Sequence, residues 1–243
     1  HFIDFPNIQI FLISNIINIF LFKKYFCLIL KLMNFIEFIK AFFMQTENYF
    51  VTEKRLEKLT KVLEKRQLDF TVVLENINDP HNLSAILRSC DAVGIFEVYL
   101  IYKNRRDIPH LGEKSSASAR KWVKKQLFNS VEDCYAELRK QGKKIFTTHL
   151  SSEAKSIYDV DMTQNIAIVF GNEHSGVTDV ALEKADGNIL IPQVGMIQSL
   201  NISVACAVTV YEAFRQRNAA GLYDQCNFDD IAFDSVMKEW TKR

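Results

Sequence analysis

Two rhythms of apolar residues alternate along residues 46–243. Short apolar-rich runs of four to six residues stand at 70–75, 97–102, 144–149, 166–170 and 188–191. Such runs, bounded by polar residues, predict strands, the most apolar of them buried on both faces. Between them, apolar residues recur at spacings of three and four over 83–93, 131–140, 179–184 and 199–217, which predicts helices. An earlier stretch, 46–67, is densely charged, with Val51, Leu56, Leu59, Val62 and Leu63 at helical spacing, and predicts an exposed amphipathic helix. Strands alternating with helices imply parallel βαβ units, so the expected fold class is a single α/β domain with a parallel sheet. No repeat period or internal linker divides it.

Residues 1–43 break the pattern. Of these, 29 are apolar, chiefly Phe, Ile and Leu, but Ser14, Asn15 and Asn18 interrupt the first run and Lys23 and Lys24 end it. Neither run reaches the roughly 20 uninterrupted apolar residues a membrane span needs. The charge and small-residue order of a signal peptide is missing as well. Phe, Ile, Asn, Lys and Leu are what AT-rich DNA encodes, so the expectation is translated upstream sequence, with Met33 or Met44 as the natural start. The expected divisions are then an extension at 1–43, a functional domain at 44–220 and a helical tail at 221–243. A membrane-anchored protein is the competing reading, which membrane fractionation of the full chain tests.

Composition sharpens this. Without the extension, 26 basic residues face 27 acidic ones, which excludes a uniformly basic nucleic-acid coater and leaves only local patches. Five widely separated cysteines with no CxxC pair argue against a disulfide framework or a cysteine zinc site and suit a reducing cytosol. No GxGxxG or GxxxxGK[ST] follows a strand, which disfavours an ordinary dinucleotide fold and a P-loop NTPase.

Three polar clusters remain as candidate chemistry. The first spans 76–94, where a strand gives way to a helix. Asn82 or Ser84 can cap that helix, and Ser84, Arg88 and Asp91 share one face, while Leu83, Leu87 and Cys90 point inward. An Arg88–Asp91 surface pair with a capping Asn explains the spacing equally well. The second cluster, 170–176, frames Glu173 between Gly171 and Gly176 directly after an apolar strand, a pattern that suits close backbone approach to a ligand or a plain turn. His174 has no second nearby ligand, so no metal is expected. The third, 191–205, crowds Ser199, Asn201 and Ser203 at the start of a helix that is apolar nearly all round, as expected in a core or a subunit interface.

In this order the clusters resemble the three motifs of the SPOUT-class RNA 2′-O-ribose methyltransferases of the TrmH family. The residues are Asn82, Ser84–Ile86 and Arg88 (NxSAIxR), Gly171, Glu173 and Gly176 (GxExxG), and 191–205 (IPxxGMxQSLNxSVA). The similarity runs from about Met44 to Ala220 and is nearest to the enzymes acting on guanosine 18 of tRNA. It implies a SPOUT-type domain with a C-terminal trefoil knot that holds S-adenosylmethionine. Implied cofactor contacts fall on Thr148, Gly171, Glu173, Ile191, Met196 and Leu200. Implied catalytic positions are Arg88, Asn82, Glu173, Ser199 and Asn201. A cytoplasmic homodimer is implied too, joined through the helix after Ser199. Gln193, where Met is usual, and Asn172 depart from the pattern.

A ribose hydroxyl is a poor nucleophile, so methyl transfer needs alignment and help in losing a proton. Arginine normally keeps its proton. Arg88 is therefore read either as an unusually deprotonated base or as a cation that stabilises the developing alkoxide. Candidate RNA contacts fall in three patches: Lys103, Arg105 and Arg106; Arg120, Lys121, Lys124 and Lys125 with Trp122; and Arg215, Arg217, Lys238, Lys242 and Arg243. Each is equally a solvated charged face. The leading expectation is a tRNA guanosine-18 2′-O-methyltransferase. A ribosomal-RNA methyltransferase of the same family is one alternative, and a non-catalytic RNA-binding protein on the same fold is the other.

Overall fold

The computed structural model describes residues 51–104, 108–109, 119–151 and 153–243. The extension at 1–43, with Arg105 and Arg106 of the first basic patch, lies outside the described residues. The elements run α1 (Glu53–Glu64), β1 (Phe70–Glu75), α2 (Pro80–Ala92), β2 (Glu97–Ile101), α3 (Ala119–Trp122), β3 (Lys124–Phe128) and α4 (Val131–Lys140). They continue with β4 (Lys144–Thr148), β5 (Lys155–Ser156), β6 (Ile166–Phe170), α5 (Asp179–Glu183), β7 (Gly187–Leu190), α6 (Ile202–Ala219) and α7 (Asp230–Thr241).

The seven strands form one sheet in the order β3-β2-β1-β6-β4-β7-β5, and every pairing is parallel. The fold is α/β, as the alternation of apolar rhythms predicts. β6 enters between β1 and β4, and β7 between β4 and β5, so the later strands fill places flanked by strands already laid down.

Side chains alternate along each strand, which splits the core in two. Val72, Leu74, Val98, Leu100, Ile166, Ile168 and Phe170 pack on one face with Leu83, Leu87 and Cys90 of α2 and Cys206, Val210 and Ala213 of α6. Val73, Tyr99, Ile101, Ala167 and Val169 pack on the other with Cys134, Tyr135 and Leu138 of α4 and Ala181 of α5. Burying a strand on both faces removes its polar alternation, which is why β1 and β6 read as continuous apolar runs. β3 escaped the pattern because it begins with Lys124-Lys125 at the sheet edge and is not buried on both faces.

A third cluster joins Leu59 and Leu63 of α1 to Trp240 of α7. Leu56 and Val62, predicted on the apolar face of α1, stay more than a third exposed. α2 is capped by Asp79, whose carboxylate accepts from His81 N at 2.8 Å with Pro80 in the first turn, rather than by Asn82 or Ser84. Ser84 is buried rather than facing outward beside Arg88. α6 is capped by Asn201, so the helix starts at Ile202 and Ser199 stays in the preceding loop.

Candidate active site

Because the strands are parallel, the carboxyl ends of β1, β6, β4 and β7 lie side by side, the place where open α/β sheets bind ligands. All three polar clusters leave the sheet from this edge. The first follows β1, the second follows β6, and the third follows β7 and leads into α6.

There a chain of side-chain hydrogen bonds joins one residue from each cluster. Asn82 Nδ2 donates to Glu173 Oε1 at 3.1 Å, and Asn201 Nδ2 donates to Asn82 Oδ1 at 3.2 Å. Asn201 Oδ1 accepts from Ser203 N at 2.9 Å, the bond that caps α6. A carboxylate only accepts, so Glu173 fixes which way the Asn82 amide points, and Asn82 in turn fixes that of Asn201. Asn82 is 9 % exposed, so it is held in a dry setting where such bonds are stronger.

The loop carrying Glu173 closes on itself. Asn172 N donates to Gly176 O and Gly176 N to Asn172 O, both at 2.9 Å. A Cβ on Gly171 would lie 2.0 Å from the Gly176 carbonyl carbon and 2.1 Å from Val177 N. Gly171 is therefore required by its own loop, which accounts for a glycine here whether or not its backbone also meets a ligand. Gly176 takes φ +70°, the left-handed region that favours glycine.

Beneath this loop, Glu75 ends β1 buried, and its carboxylate accepts from Thr178 N at 3.0 Å and Thr178 Oγ1 at 2.7 Å. Sequence reading passed over Glu75 because it closes an otherwise apolar strand. A charged residue inside such a run is the trace that would have flagged it. The neighbouring Tyr102 donates its hydroxyl to Ile77 O at 2.7 Å, and burial together with the Glu173 charge raises that phenol above its ordinary pKa.

Arg88 is exposed on α2 and makes no hydrogen bond or ion pair among the described residues. Its expected partner Asp91 is taken by the buried guanidinium of Arg66, from the end of α1. Arg88 is thus left free towards solvent, and it does not touch the Glu173–Asn82–Asn201 chain. Ser199 is also exposed and sits in the loop before α6.

The SpoU rRNA Methylase family model matches residues 69–211, from the approach to β1 to the middle of α6. The chain belongs to this family. It is 42 % identical over 192 residues to the tRNA (guanosine(18)-2′-O)-methyltransferase of Thermus thermophilus, covering 79 % of this chain and 98 % of that protein. It is 36 % identical over 169 residues to the 23S rRNA (guanosine-2′-O-)-methyltransferase RlmB of Xanthomonas campestris, covering 69 % of this chain and 66 % of that protein. Among solved structures, the TrmH/SpoU tRNA modifying enzyme of A. aeolicus superposes with a TM-score of 0.74 at 37 % identity. That match covers 78 % of this chain and 96 % of the other.

The cofactor positions that the SpoU resemblance implies gather at the ends of adjacent strands. Thr148 ends β4 and donates its hydroxyl to Val169 O at 2.9 Å. Ile191 follows β7 and packs against the core, and Leu200 is half-buried. Met196 stands fully exposed with Val194 in the same loop. Gln193, in place of the usual Met, encloses its Oε1 with no hydrogen-bond partner, leaving an acceptor ready for a donor group. The residues present therefore fit a polar organic cofactor with apolar parts.

The basic patches regroup on the SpoU fold. Arg217 is fully buried, donating to Gln67 Oε1, Met162 O and Gln164 O and pairing with Asp69. It braces the amino-terminal side of the sheet and does not reach RNA, because α6 turns that face into the core. Arg215 is exposed and pairs with Glu212 at 2.7 Å. Lys124 pairs with Glu97 at 2.6 Å, Lys121 is exposed and Arg120 is half-buried. The Lys125 amine has its pKa lowered by burial and by Arg243 and Arg120, so the chain terminus joins the second patch rather than the third. Trp122 packs edge-on against Trp240 at 5.3 Å, so it belongs to the packing of α7 rather than to a base-stacking surface.

A further stripe was missed: Lys54, Lys58 and Lys61 of α1, with Lys65 just past its end, line a groove of about 750 Å³ together with Val62, Val93, Phe214 and Tyr223. Their spacing of four, three and four is visible in the sequence, but on a helix so densely charged it reads as an ordinary solvated face.

Proposed function

We propose that the chain transfers a methyl group from S-adenosylmethionine to the ribose 2′-hydroxyl of guanosine 18 in the D-loop of tRNA. The observation that carries this reading is the Glu173–Asn82–Asn201 chain, which ties all three motif clusters into one site at the carboxyl edge of the sheet. The family and the relatives acting on guanosine 18 support the same reaction class. When bound, S-adenosylmethionine supplies an electrophilic methyl on a sulfonium centre. Thr148, Gly171, Ile191, Met196 and Leu200 hold it at the strand ends, with Gln193 offering an acceptor.

The protein's own work is alignment and charge. The hydrogen-bonded chain fixes the start of α6 against α2, so Ser199 and Asn201 present their polar groups in a set geometry. Arg88, free of carboxylate partners, offers a positive charge to the alkoxide that develops as the 2′-hydroxyl loses its proton, and to the adjacent phosphate. The electrostatic role suits Arg88 because its guanidinium stands exposed with no carboxylate beside it to neutralise the charge.

The working unit is residues 44–220, and a second copy covers the apolar residues left exposed at Val204 and Tyr211 of α6 and at Val194, Met196 and Ile197 of the preceding loop. Among the described residues, no helix is long and apolar enough to cross a membrane. The site of action is the cytoplasm, where tRNA is found. RNA is engaged by Arg105, Arg106, Arg120, Lys121, Lys124 and Arg215, joined by the lysine stripe of α1.

The ribosomal-RNA relative keeps a second reading in play, the same chemistry on ribosomal RNA. Incubating the protein and labelled S-adenosylmethionine with total tRNA and ribosomal RNA separates them. Label mapped to the ribose of guanosine 18 is the expected result. Label only in ribosomal RNA overturns the substrate, and no label in either overturns the reaction.

A further inference from the structure

We propose that Asn172 is a positioning residue for methyl transfer, a strut that sets the distance between Glu173 and Asn82. The inference rests on the catalytic reading above. Every polar group of Asn172 is engaged. Its Oδ1 accepts from His174 N at 2.9 Å and from Ser175 N at 3.2 Å, folding the loop around Glu173. Its backbone pairs twice with Gly176. Its Nδ2 leaves the loop altogether and donates to Asn76 O at 2.7 Å.

Asn76 is a fixed anchor. It takes φ +53°, a left-handed conformation that Asn tolerates better than most residues, and its N–H donates to Ile101 O at 3.0 Å. Tyr102 holds the next carbonyl, that of Ile77, and three residues after Asn76 the cap Asp79 opens α2. The Asn172–Asn76 bond and the Asn82–Glu173 bond therefore join the same two segments at different points. The first ties the root of the Glu173 loop to the root of α2; the second joins their functional ends. Without the strut, the near side of the Glu173 loop keeps only the functional bond to the first cluster, while Glu75 still holds its far side through Thr178. The amide is what permits this. An aspartate could fold the turn but could not donate to a carbonyl, and a serine could fold it but is too short to reach.

The test uses the full chain with Asn172→Ser and Asn172→Ala, with Asn82→Ala and Glu173→Gln alongside. Serine keeps a weaker turn and loses the strut, while alanine loses both. For both Asn172 variants the expected kcat on tRNA is about 30- to 100-fold below wild type, the cost of misplacing a reacting group by about an ångström. KM for tRNA and the calorimetric affinity for S-adenosylmethionine stay within about threefold, since the Asn172 side chain spends its hydrogen bonds inside the protein. Melting temperature is higher for serine than for alanine while kcat is the same, a split that loss of fold does not produce. Serine restoring kcat overturns the proposal, since the turn alone would then suffice. A loss that appears in KM or cofactor affinity instead of kcat overturns it as well. Full activity in Asn82→Ala and Glu173→Gln overturns the catalytic reading and this proposal with it, whereas impairment there with intact Asn172 variants overturns the proposal only.

Discussion

Asn82 donates its amide to Glu173 at 3.1 Å across 91 positions of sequence, and this one bond joins the first motif cluster to the second. Its other end accepts from Asn201, so a single buried amide relays geometry from β6 through α2 to the start of α6. Removing it with Asn82→Ala is expected to lower kcat about 10²- to 10³-fold, the usual cost of losing one preorganised donor. Binding of S-adenosylmethionine, measured by calorimetry, should change far less. A variant that turns over at the wild-type rate would refute the relay.

Arg66 and Asp91 pair with each other, which leaves Arg88 without a structural task. Arg88→Ala should therefore unfold within about 0.5 kcal/mol of wild type in urea, as exposed substitutions do. Its kcat should fall by about 10³-fold, because the charge at the developing alkoxide is gone. Arg88→Lys restores a charge without the planar fork, so activity about tenfold below wild type is expected. A lysine variant as inactive as alanine would show that the guanidinium itself is needed.

Arg217 and the lysines of α1 should separate stability from RNA binding. Arg217→Met leaves Gln67 Oε1 and two backbone carbonyls without their buried donor, so a loss of about 1–3 kcal/mol is expected in denaturant unfolding. Arg217→Met leaves the salt dependence of tRNA binding unchanged. Replacing Lys54, Lys58 and Lys65 by alanine should do the reverse. The slope of affinity against salt falls by about one for each phosphate that is no longer neutralised, with little change in unfolding. Equal slopes in the triple variant and wild type would remove α1 from the RNA surface.

Lys143 gives a pH signature. Burial pulls its amine down to about 8, against the partial restoring effect of Asp69 and Glu97. Its two acceptors, Leu68 O at 2.7 Å and Asn165 Oδ1 at 3.0 Å, match the two N–H groups of a neutral amine. Above pH 8 the folded protein sheds this proton while the unfolded chain keeps it up to its ordinary value. The unfolded state then binds more protons, and stability rises with pH across that window. The stability of wild type relative to Lys143→Met should climb between pH 8 and 10, by at most about 1.4 kcal/mol per unit. Taking the difference cancels tyrosines whose raised pKa values act in both proteins. A flat difference would mean that the amine stays charged when buried.

Periodicity made much of this legible. Strands buried on both faces must be apolar throughout, so β1 and β6 announced themselves, and the alternation with helices fixed the α/β class. The motifs named Asn82, Glu173 and Asn201, although neither spacing nor composition said that they touch. β3 stayed hidden because its exposed edge reads as a basic patch, and α2 was given the wrong cap because Asp79, Asn82 and Ser84 all have the chemistry of one.

By itself the sequence determined which residues are apolar, which local faces they share, and that three polar clusters end three strands. Only the tertiary structure decided where each polar group finds its partner. Asp91 turned to Arg66 instead of Arg88, Arg217 was drawn inward to Asp69, and Asn172 reached Asn76. A helical or extended period fixes neighbours within about a turn or a pleat. Partners from 25 to 148 positions apart meet only when packed elements bring them together, and burial then forces each donor and acceptor to be matched.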